Sequence, residues 1–132
     1  MTRQIEHLIE CGYTYFISGG ALGVDQDFAE VVLRAKQAHA GIMLEIAVPC
    51  RTQAARWSET ERLRYFSILE RADCVKILSE HYTQFCMLKR NEYMVDKSDL
   101  VLAYWNGEGS GGTWYTMQYA KRKHKELFVT SL

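Results

Sequence analysis

The sequence predicts an α/β protein with a doubly wound, mainly parallel sheet of about five strands and helices on both faces. Short β-branched and aromatic runs alternate along the 132 residues with helical segments of roughly 10–15 residues. These runs are apolar on both faces, as expected of parallel strands that are covered on both sides. Because crossovers between parallel strands are right-handed, the expected arrangement is Rossmann-like, in one domain spanning residues 1–132.

The first half of the chain is punctuated by residues that start or stop regular elements. Gly12 follows a short amphipathic segment as a helix stop, and Pro49 ends the second strand. Ser58, followed by Glu61 on the next turn, is a capping-box pattern that opens a helix. The predicted elements are a helix at 2–11, a strand at 13–18, a helix at 24–39, a strand at 42–48 and a helix from 58.

The second half continues the alternation of strands and helices. The predicted elements are a strand at 74–78, a helix at 85–95, a strand at 100–105, a helix at 113–124 and a strand at 127–130. In doubly wound sheets, ligands bind outside the carboxyl ends of the strands. The segments of interest are therefore the loops that begin at Ser18, Pro49, Ser79 and Trp105.

Composition argues against several classes of protein. The chain has 16 Lys and Arg against 16 Asp and Glu, which disfavours nucleic-acid binding through a basic surface. No stretch approaches the roughly 18 apolar residues of a membrane span, and the acidic N-terminal segment differs from a signal peptide. We therefore expect a cytoplasmic protein. The four cysteines lack zinc-ligand spacing, so we expect reduced thiols, no metal site and no cofactor.

The loop FISGGALGVD contains a candidate anion site. Glycines at positions 19, 20 and 23 allow a sharp turn, and Asp25 falls in the first turn of the next helix. A glycine-rich turn before a helix N-terminus presents N–H groups and the positive end of the macrodipole, which suits a phosphate. The spacing matches neither GxGxxG nor a P-loop. A tight strand-to-helix turn, with Asp25 favouring the helix start, remains the alternative.

The loop NGEGSGGT is a second glycine-rich turn before a predicted helix N-terminus. Gly107, Gly109, Gly111 and Gly112 precede a predicted helix start at Thr113, whose hydroxyl can cap the helix or reach an anion. Two such loops at one edge of a sheet favour anion binding by at least one of them.

Two further segments offer basic and aromatic side chains. Arg51 follows the second strand and can fork onto a phosphate, while Trp57 and Trp105 can stack on a base or ribose. The alternatives are a solvated arginine and a packing role for Trp57. Arg90 and Asn91 lie on a predicted helix where a solvated charged face is the simpler interpretation.

No nucleophile and base lie at a recognisable spacing. The four histidines fall on separate elements, and nothing fixes the separation of the acids near the predicted loops. The residues alone therefore predict a binding domain for a phosphate-bearing small molecule.

Four segments together resemble the SLOG superfamily, which takes its name from its DprA/Smf and Lonely Guy branches. They are FISGGALGVD, PCRTQAARW, MLKRNEYMVDKSDLVLAYWNG and GGTWYTMQYA, and the match is best to the YpsA-like group of bacteria and phages. The resemblance implies a Rossmann-like fold that binds nucleotides or nucleotide-derived molecules. The implied ligand-binding residues are Ser18, Gly19, Gly20, Gly23, Asp25, Arg90, Gly111, Gly112 and Thr113.

The chain departs from the Lonely Guy pattern at two functional positions. The glutamate that those enzymes use in catalysis corresponds to Thr116, and the lysine usual after the arginine corresponds to Asn91. A threonine cannot supply a carboxylate to an N-glycosidic bond. We therefore favour a non-catalytic domain that senses or sequesters its ligand. The alternatives are a nucleoside monophosphate phosphoribohydrolase and a DprA-like DNA-processing accessory protein.

A further departure concerns the start of the fold. Proteins of this type usually have one more central strand before the helix that starts here at Thr2. Its absence implies a truncated chain, a rearranged sheet or a strand supplied by another protomer. Because an unpaired strand edge tends to pair between chains, we expect a homo-oligomer.

Overall fold

Five helices and five strands alternate along the chain in the order expected from the sequence. The computed structural model describes residues 1–132. The helices are α1 (Thr2–Glu10), α2 (Val24–Ala38), α3 (Glu59–Arg71), α4 (Cys86–Lys97) and α5 (Gly112–Arg122). The strands are β1 (Tyr15–Ser18), β2 (Met43–Val48), β3 (Cys74–Ile77), β4 (Leu100–Trp105) and β5 (Glu126–Ser131).

All strand pairs are parallel, but the strands form two small sheets. One sheet has the order β1-β2-β3, and β4 pairs with β5 in the other. The chain correspondingly divides into two compact units, Met1–Tyr82 and Thr83–Leu132. The α/β class of Rossmann-like type is confirmed, whereas the grouping into three and two strands differs from the single sheet expected. Sequence periodicity identifies a strand but not its lateral neighbour, which explains the difference. The assignment of residues 1–132 to one domain stays a prediction.

The core of the first unit lies on one face of its sheet. Phe16, Leu44, Ile46 and Val48 alternate along β1 and β2 with their side chains on that face, and all are nearly inaccessible. Apolar residues of the three helices complete the cluster: Ile5, Ala29, Val31, Val32, Leu33 and Ile68. This packing fixes the position of the loops that follow β1 and β2.

Two helix ends in the first unit follow directly from local sequence. At the end of α1, the Tyr13 N–H donates to Leu8 O and the Gly12 N–H to Ile9 O, both at 3.0 Å. This is a Schellman motif, and Gly12 supplies its positive φ of 99°. At the start of α3, Ser58 and Glu61 form the expected capping box, with hydrogen bonds of 3.2 and 2.9 Å.

Asp73, just before β3, ties that strand to its surroundings. Its Oδ2 accepts hydrogen bonds from Lys36 Nζ at 2.5 Å and from the Leu44 N–H at 2.8 Å. The hydrogen bond from Lys36, followed by that from Leu44, lowers the pKa of the Asp73 carboxyl below its ordinary value.

In the second unit, two tyrosines of α5 bind carboxylates of α4. The Tyr115 hydroxyl donates to Glu92 at 2.7 Å, and the Tyr119 hydroxyl donates to Asp96 at 2.8 Å. The hydrogen bond to Asp96 raises the pKa of Tyr119 to about 12. These pairs fix α4 against α5. No helix of the chain has both the length and the apolar character needed to cross a membrane.

Candidate functional site

The loop after β1 requires glycine at position 20. Gly20 has a φ of 70°, and a Cβ there would lie 2.9 Å from Ile46 Cγ2 and 3.3 Å from Tyr65 Cε1. Both neighbours are buried. The close approach of backbone to core therefore explains this glycine without reference to a ligand.

Two buried glutamines hold the same loop from the protein side. Gln26 Nε2 donates to Gly20 O at 3.1 Å, and Gln53 Nε2 donates to Gly19 O at 3.4 Å. Gln26 is 1% exposed and Gln53 is 8% exposed. Because both carbonyls are fixed inward, the orientation of the peptide groups in the turn is fixed as well.

Three predicted site residues come together inside this loop. Ser18 Oγ donates to Asp25 O at 2.7 Å and accepts from the Gly20 N–H at 3.2 Å. Asp25 Oδ2 accepts from the Ala21 N–H at 3.2 Å. The turn thus uses two of its own N–H groups internally. Those of Gly23 and Val24, at the start of α2, have no acceptor in the chain.

Arg51, which follows β2, has its guanidinium engaged by an acid that sequence reasoning did not single out. Arg51 Nε donates to Glu80 Oε2 at 2.7 Å, and its Nη2 donates to Glu80 Oε1 at 3.0 Å. The side chains are 58% and 65% exposed. The hydrogen bond and charge of Arg51 lower the pKa of Glu80, and those of Glu80 raise the pKa of Arg51.

Trp57 contacts another aromatic ring of its own unit. Its ring meets Tyr65 edge-on, with 5.1 Å between the ring centroids and 79° between the planes. This contact agrees with a packing role, the alternative to base stacking weighed for Trp57.

In the second unit, the glycine-rich loop after β4 is closed by its own polar groups. Trp105 Nε1 donates to Glu108 O at 2.7 Å, and the Glu108 N–H donates to Asn106 Oδ1 at 3.0 Å. Trp105 also stacks on Trp114, with 5.6 Å between the centroids and 26° between the ring planes. The indole pair therefore joins the end of β4 to the first turn of α5.

The loop ends at an accessible helix N-terminus. Gly111 is the N-cap of α5, with a φ of 94°, and residues 106–113 are exposed. The N–H groups of Gly112, Thr113 and Trp114 have no acceptor in the chain, nor does the Thr113 hydroxyl have a partner. The backbone thus presents several donors and the positive end of the helix dipole in one place.

Arg90 and Asn91 of α4 belong to this same N-terminus. A methyl group added at Gly112 would lie 3.9 Å from Asn91 Nδ2. Arg90 is 5% exposed, and its Nε donates to Asn91 Oδ1 at 3.0 Å. Because the amide oxygen accepts from Arg90, the amide nitrogen of Asn91 is directed away from that contact. Arg90 therefore orients Asn91.

The positions considered for catalysis are engaged elsewhere. Thr116 Oγ1 donates to Gly112 O at 2.9 Å, which is a local contact within α5. Asp96 of α4, an acid of the same unit, accepts a hydrogen bond from the Tyr119 hydroxyl. No group of three or more His, Cys, Asp or Glu side chains is arranged to hold a metal ion.

Sequence reasoning thus identified the loops but missed some of the residues that shape them. Gln26, Glu80 and Trp114 act across turns or between elements, and no spacing rule marks them. Trp114 offered the clearest signal, because it is an aromatic residue in the first turn after a glycine-rich loop.

Parallel strands followed by glycine-bearing or basic loops at their carboxyl ends define a Rossmann-like α/β protein. The family model of the YspA SLOG family matches residues 1–130. The chain therefore belongs to this family.

Relatives share this sequence over most of its length. The UPF0398 protein BH1768 of Halalkalibacterium halodurans is 36% identical over 126 residues, which cover 94% of this chain and 67% of the relative. The uncharacterized SPbeta prophage-derived protein YoqJ of Bacillus subtilis is 36% identical over 133 residues, which cover 91% of this chain and 77% of the relative. The UPF0398 protein ABC2016 of Shouchella clausii is 33% identical over 124 residues, which cover 90% of this chain and 65% of the relative.

Proposed function

We propose that this SLOG domain binds a nucleotide or nucleotide-derived phosphate ligand and senses or sequesters it without catalysis. The observation that carries the proposal is the accessible N-terminus of α5, where the N–H groups of Gly112, Thr113 and Trp114 are without acceptors. A helix N-terminus with free N–H groups and a positive dipole end is a common binding site for phosphate.

The neighbouring side chains strengthen this interpretation. Asn91 Nδ2 borders Gly112 and adds a neutral donor, while the Thr113 hydroxyl adds another at the same turn. The buried guanidinium of Arg90 holds the Asn91 amide and brings a positive charge to α4. Arg90 then acts on the ligand through Asn91 and through its charge, rather than as an exposed phosphate fork.

The first unit carries an anion-binding element of its own. The N–H groups of Gly23 and Val24 at the start of α2 are without acceptors, and Arg51 supplies a guanidinium after β2. We assign the structured turn of Ser18, Gly19, Gly20 and Asp25 to holding these N–H groups in place.

The side chain at position 116 supports a role without catalysis. A carboxylate is needed to stabilise an oxocarbenium-like centre or to move a proton at an N-glycosidic bond. Thr116 has no carboxylate, and its hydroxyl is hydrogen-bonded to Gly112 O. On incubation with AMP, we expect no release of free adenine. Release that depends on Arg90 would overturn this part of the proposal and favour the phosphoribohydrolase alternative.

Calorimetric titration with AMP, ADP-ribose and adenosine tests the binding function. We expect AMP or ADP-ribose to bind and adenosine to bind at least about tenfold more weakly, because the phosphate carries the interaction. Asn91→Ala should weaken binding at least about tenfold, as expected for one lost hydrogen bond to a charged group, worth about 1.5–3 kcal/mol. Gln37→Ala, an exposed amide on α2, is the matched control and should change nothing.

Arg90→Lys separates the positioning role from simple charge. Lysine keeps the charge but cannot make the same planar contact with Asn91. We expect binding to weaken as in Asn91→Ala, with no further loss in the double variant. Equal affinity for phosphorylated and unphosphorylated ligands, or full binding by Asn91→Ala, would refute the proposed phosphate position.

We also propose that the protein is a homo-oligomer. Leu63 and Phe66, neighbours on one face of α3, are 67% and 56% exposed, and Phe128 of β5 is 53% exposed. Exposed apolar side chains of this size favour contact with a second copy. Light scattering at micromolar concentration should give a multiple of 15.3 kDa. A single species of monomer mass would refute the proposal.

A further inference from the structure

We infer that Arg51 and Glu80 form a masked oxyanion site. The Glu80 carboxylate occupies the position on Arg51 that a ligand phosphate takes after displacing the carboxylate. Glu80 then lowers the affinity of the site and acts as its internal competitor. The inference rests on the proposed function, since it concerns the anion-binding element of the first unit.

The geometry of the pair is that of a bound anion. Two parallel donors of the guanidinium, Nε and Nη2, meet the two carboxylate oxygens of Glu80 at 2.7 and 3.0 Å. Phosphate oxygens use the same fork of donors. Because the fork holds one anion at a time in this way, a phosphate reaches both donors only after the carboxylate has left.

The backbone keeps the competitor next to the fork. The Arg51 N–H donates to Ser79 O at 3.0 Å, and the Leu78 N–H donates to Val48 O at 2.9 Å. These bonds join the loops that leave the carboxyl ends of β2 and β3. Glu80 is thus presented to Arg51 within one molecule, at an effective concentration that a free carboxylate in solution does not match.

The pair is nevertheless open to exchange. Both side chains are more than half exposed, so the carboxylate can rotate into water without disturbing the core. Exposed ion pairs are weak, because water and salt screen them. An exposed glutamate is ionised at neutral pH, and the hydrogen bond from Arg51 lowers the pKa of Glu80 further. A phosphate group with a second negative charge is a stronger partner for the same fork.

A purely structural role makes the opposite prediction. If the pair served only to clip the two loops together, neutralising Glu80 would loosen the loop of Arg51 and weaken anion binding. If Glu80 is a competitor, neutralising it frees the guanidinium and strengthens anion binding. The sign of the change in affinity therefore distinguishes the two roles.

Calorimetric titration with inorganic pyrophosphate measures that sign. We expect Glu80→Gln to bind pyrophosphate at least about threefold to fivefold more tightly than wild type, the range set by an exposed ion pair. Glu70→Gln removes the same charge from an exposed position on α3 and should stay within about twofold, as expected for a distant screened charge. In an Arg51→Ala background, Glu80→Gln should give no gain.

Several outcomes overturn the inference. They include unchanged or weaker binding in Glu80→Gln, an equal gain in Glu70→Gln, and a gain that persists without Arg51. Absence of pyrophosphate binding by both wild type and Glu80→Gln overturns it as well. The proposed function is tested separately by AMP binding in Asn91→Ala. AMP binding that depends on Asn91 but not on Arg51 or Glu80 refutes the masked site and still supports the proposed function.

Discussion

Replacing Gly20 by alanine tests whether packing, and not only a ligand, requires glycine after β1. The new Cβ would lie 2.9 Å from Ile46 Cγ2 and 3.3 Å from Tyr65 Cε1. Both neighbours are at most 2% exposed and have no room to withdraw. Overpacking of this kind destabilises by about 1–3 kcal/mol. A positive φ adds about 1–2 kcal/mol for a residue with a side chain. The free energy of unfolding should therefore fall by about 2–5 kcal/mol.

Gly12→Ala is the matched control for the backbone contribution. Gly12 also has a positive φ, of 99°, but nothing lies within 4 Å of an added Cβ. The free energy of unfolding of Gly12→Ala should fall only by the backbone contribution, about 1–2 kcal/mol. Urea unfolding monitored by circular dichroism gives both values. Equal losses in the two variants would show that the contacts with Ile46 and Tyr65 do not require glycine, and would refute the packing explanation.

The remaining predictions concern charges and caps described above. Asp73→Asn should reduce stability by about 1 kcal/mol at pH 7, because its two hydrogen bonds favour the carboxylate. Since the Asp73 pKa is lowered on folding, this contribution is present above the unfolded value of about 3.9 and is lost as the pH falls through the folded pKa. Urea unfolding at several pH values checks it, and a difference that persists in strong acid would contradict it. Ser58→Ala should lower the free energy of unfolding by about 1 kcal/mol, because the capping box is lost. Thermal unfolding measures this change. An unchanged midpoint would mean that the capping box does not contribute to stability. Asp96→Asn should bring the pKa of Tyr119 from about 12 back toward its ordinary value, followed by NMR of labelled tyrosine. A pKa that stays near 12 would refute the assigned cause.

Features that depend on neighbouring residues were predictable from the sequence. The Schellman motif at Gly12 and the capping box of Ser58 and Glu61 each lie within one helical turn. The alternation of strands and helices, and hence the α/β class, follows from periodicities that are equally local. The glycine loops were found for the same reason, because glycine clusters are visible in the sequence.

Features that depend on which elements become neighbours were not predictable. Glu80 meets Arg51 only because β2 pairs with β3, and the two residues are 29 positions apart. The grouping of strands into two sheets depends on lateral pairing, which leaves no mark on strand periodicity. The charged run around Arg90 indicated a solvated helix face, but Arg90 is buried because of how α4 packs.

The stacked indoles of Trp105 and Trp114 give the protein an optical probe of its own. Two indoles with centroids 5.6 Å apart and planes inclined by 26° couple their electronic transitions, so the pair produces a paired band in circular dichroism. Trp57, the third tryptophan, lies against a tyrosine and contributes no such pair. The two indoles join the end of β4 to the first turn of α5, so a shift of α5 against β4 changes the angle between them. The intensity of that band therefore reports the packing of α5 on β4 in unlabelled protein.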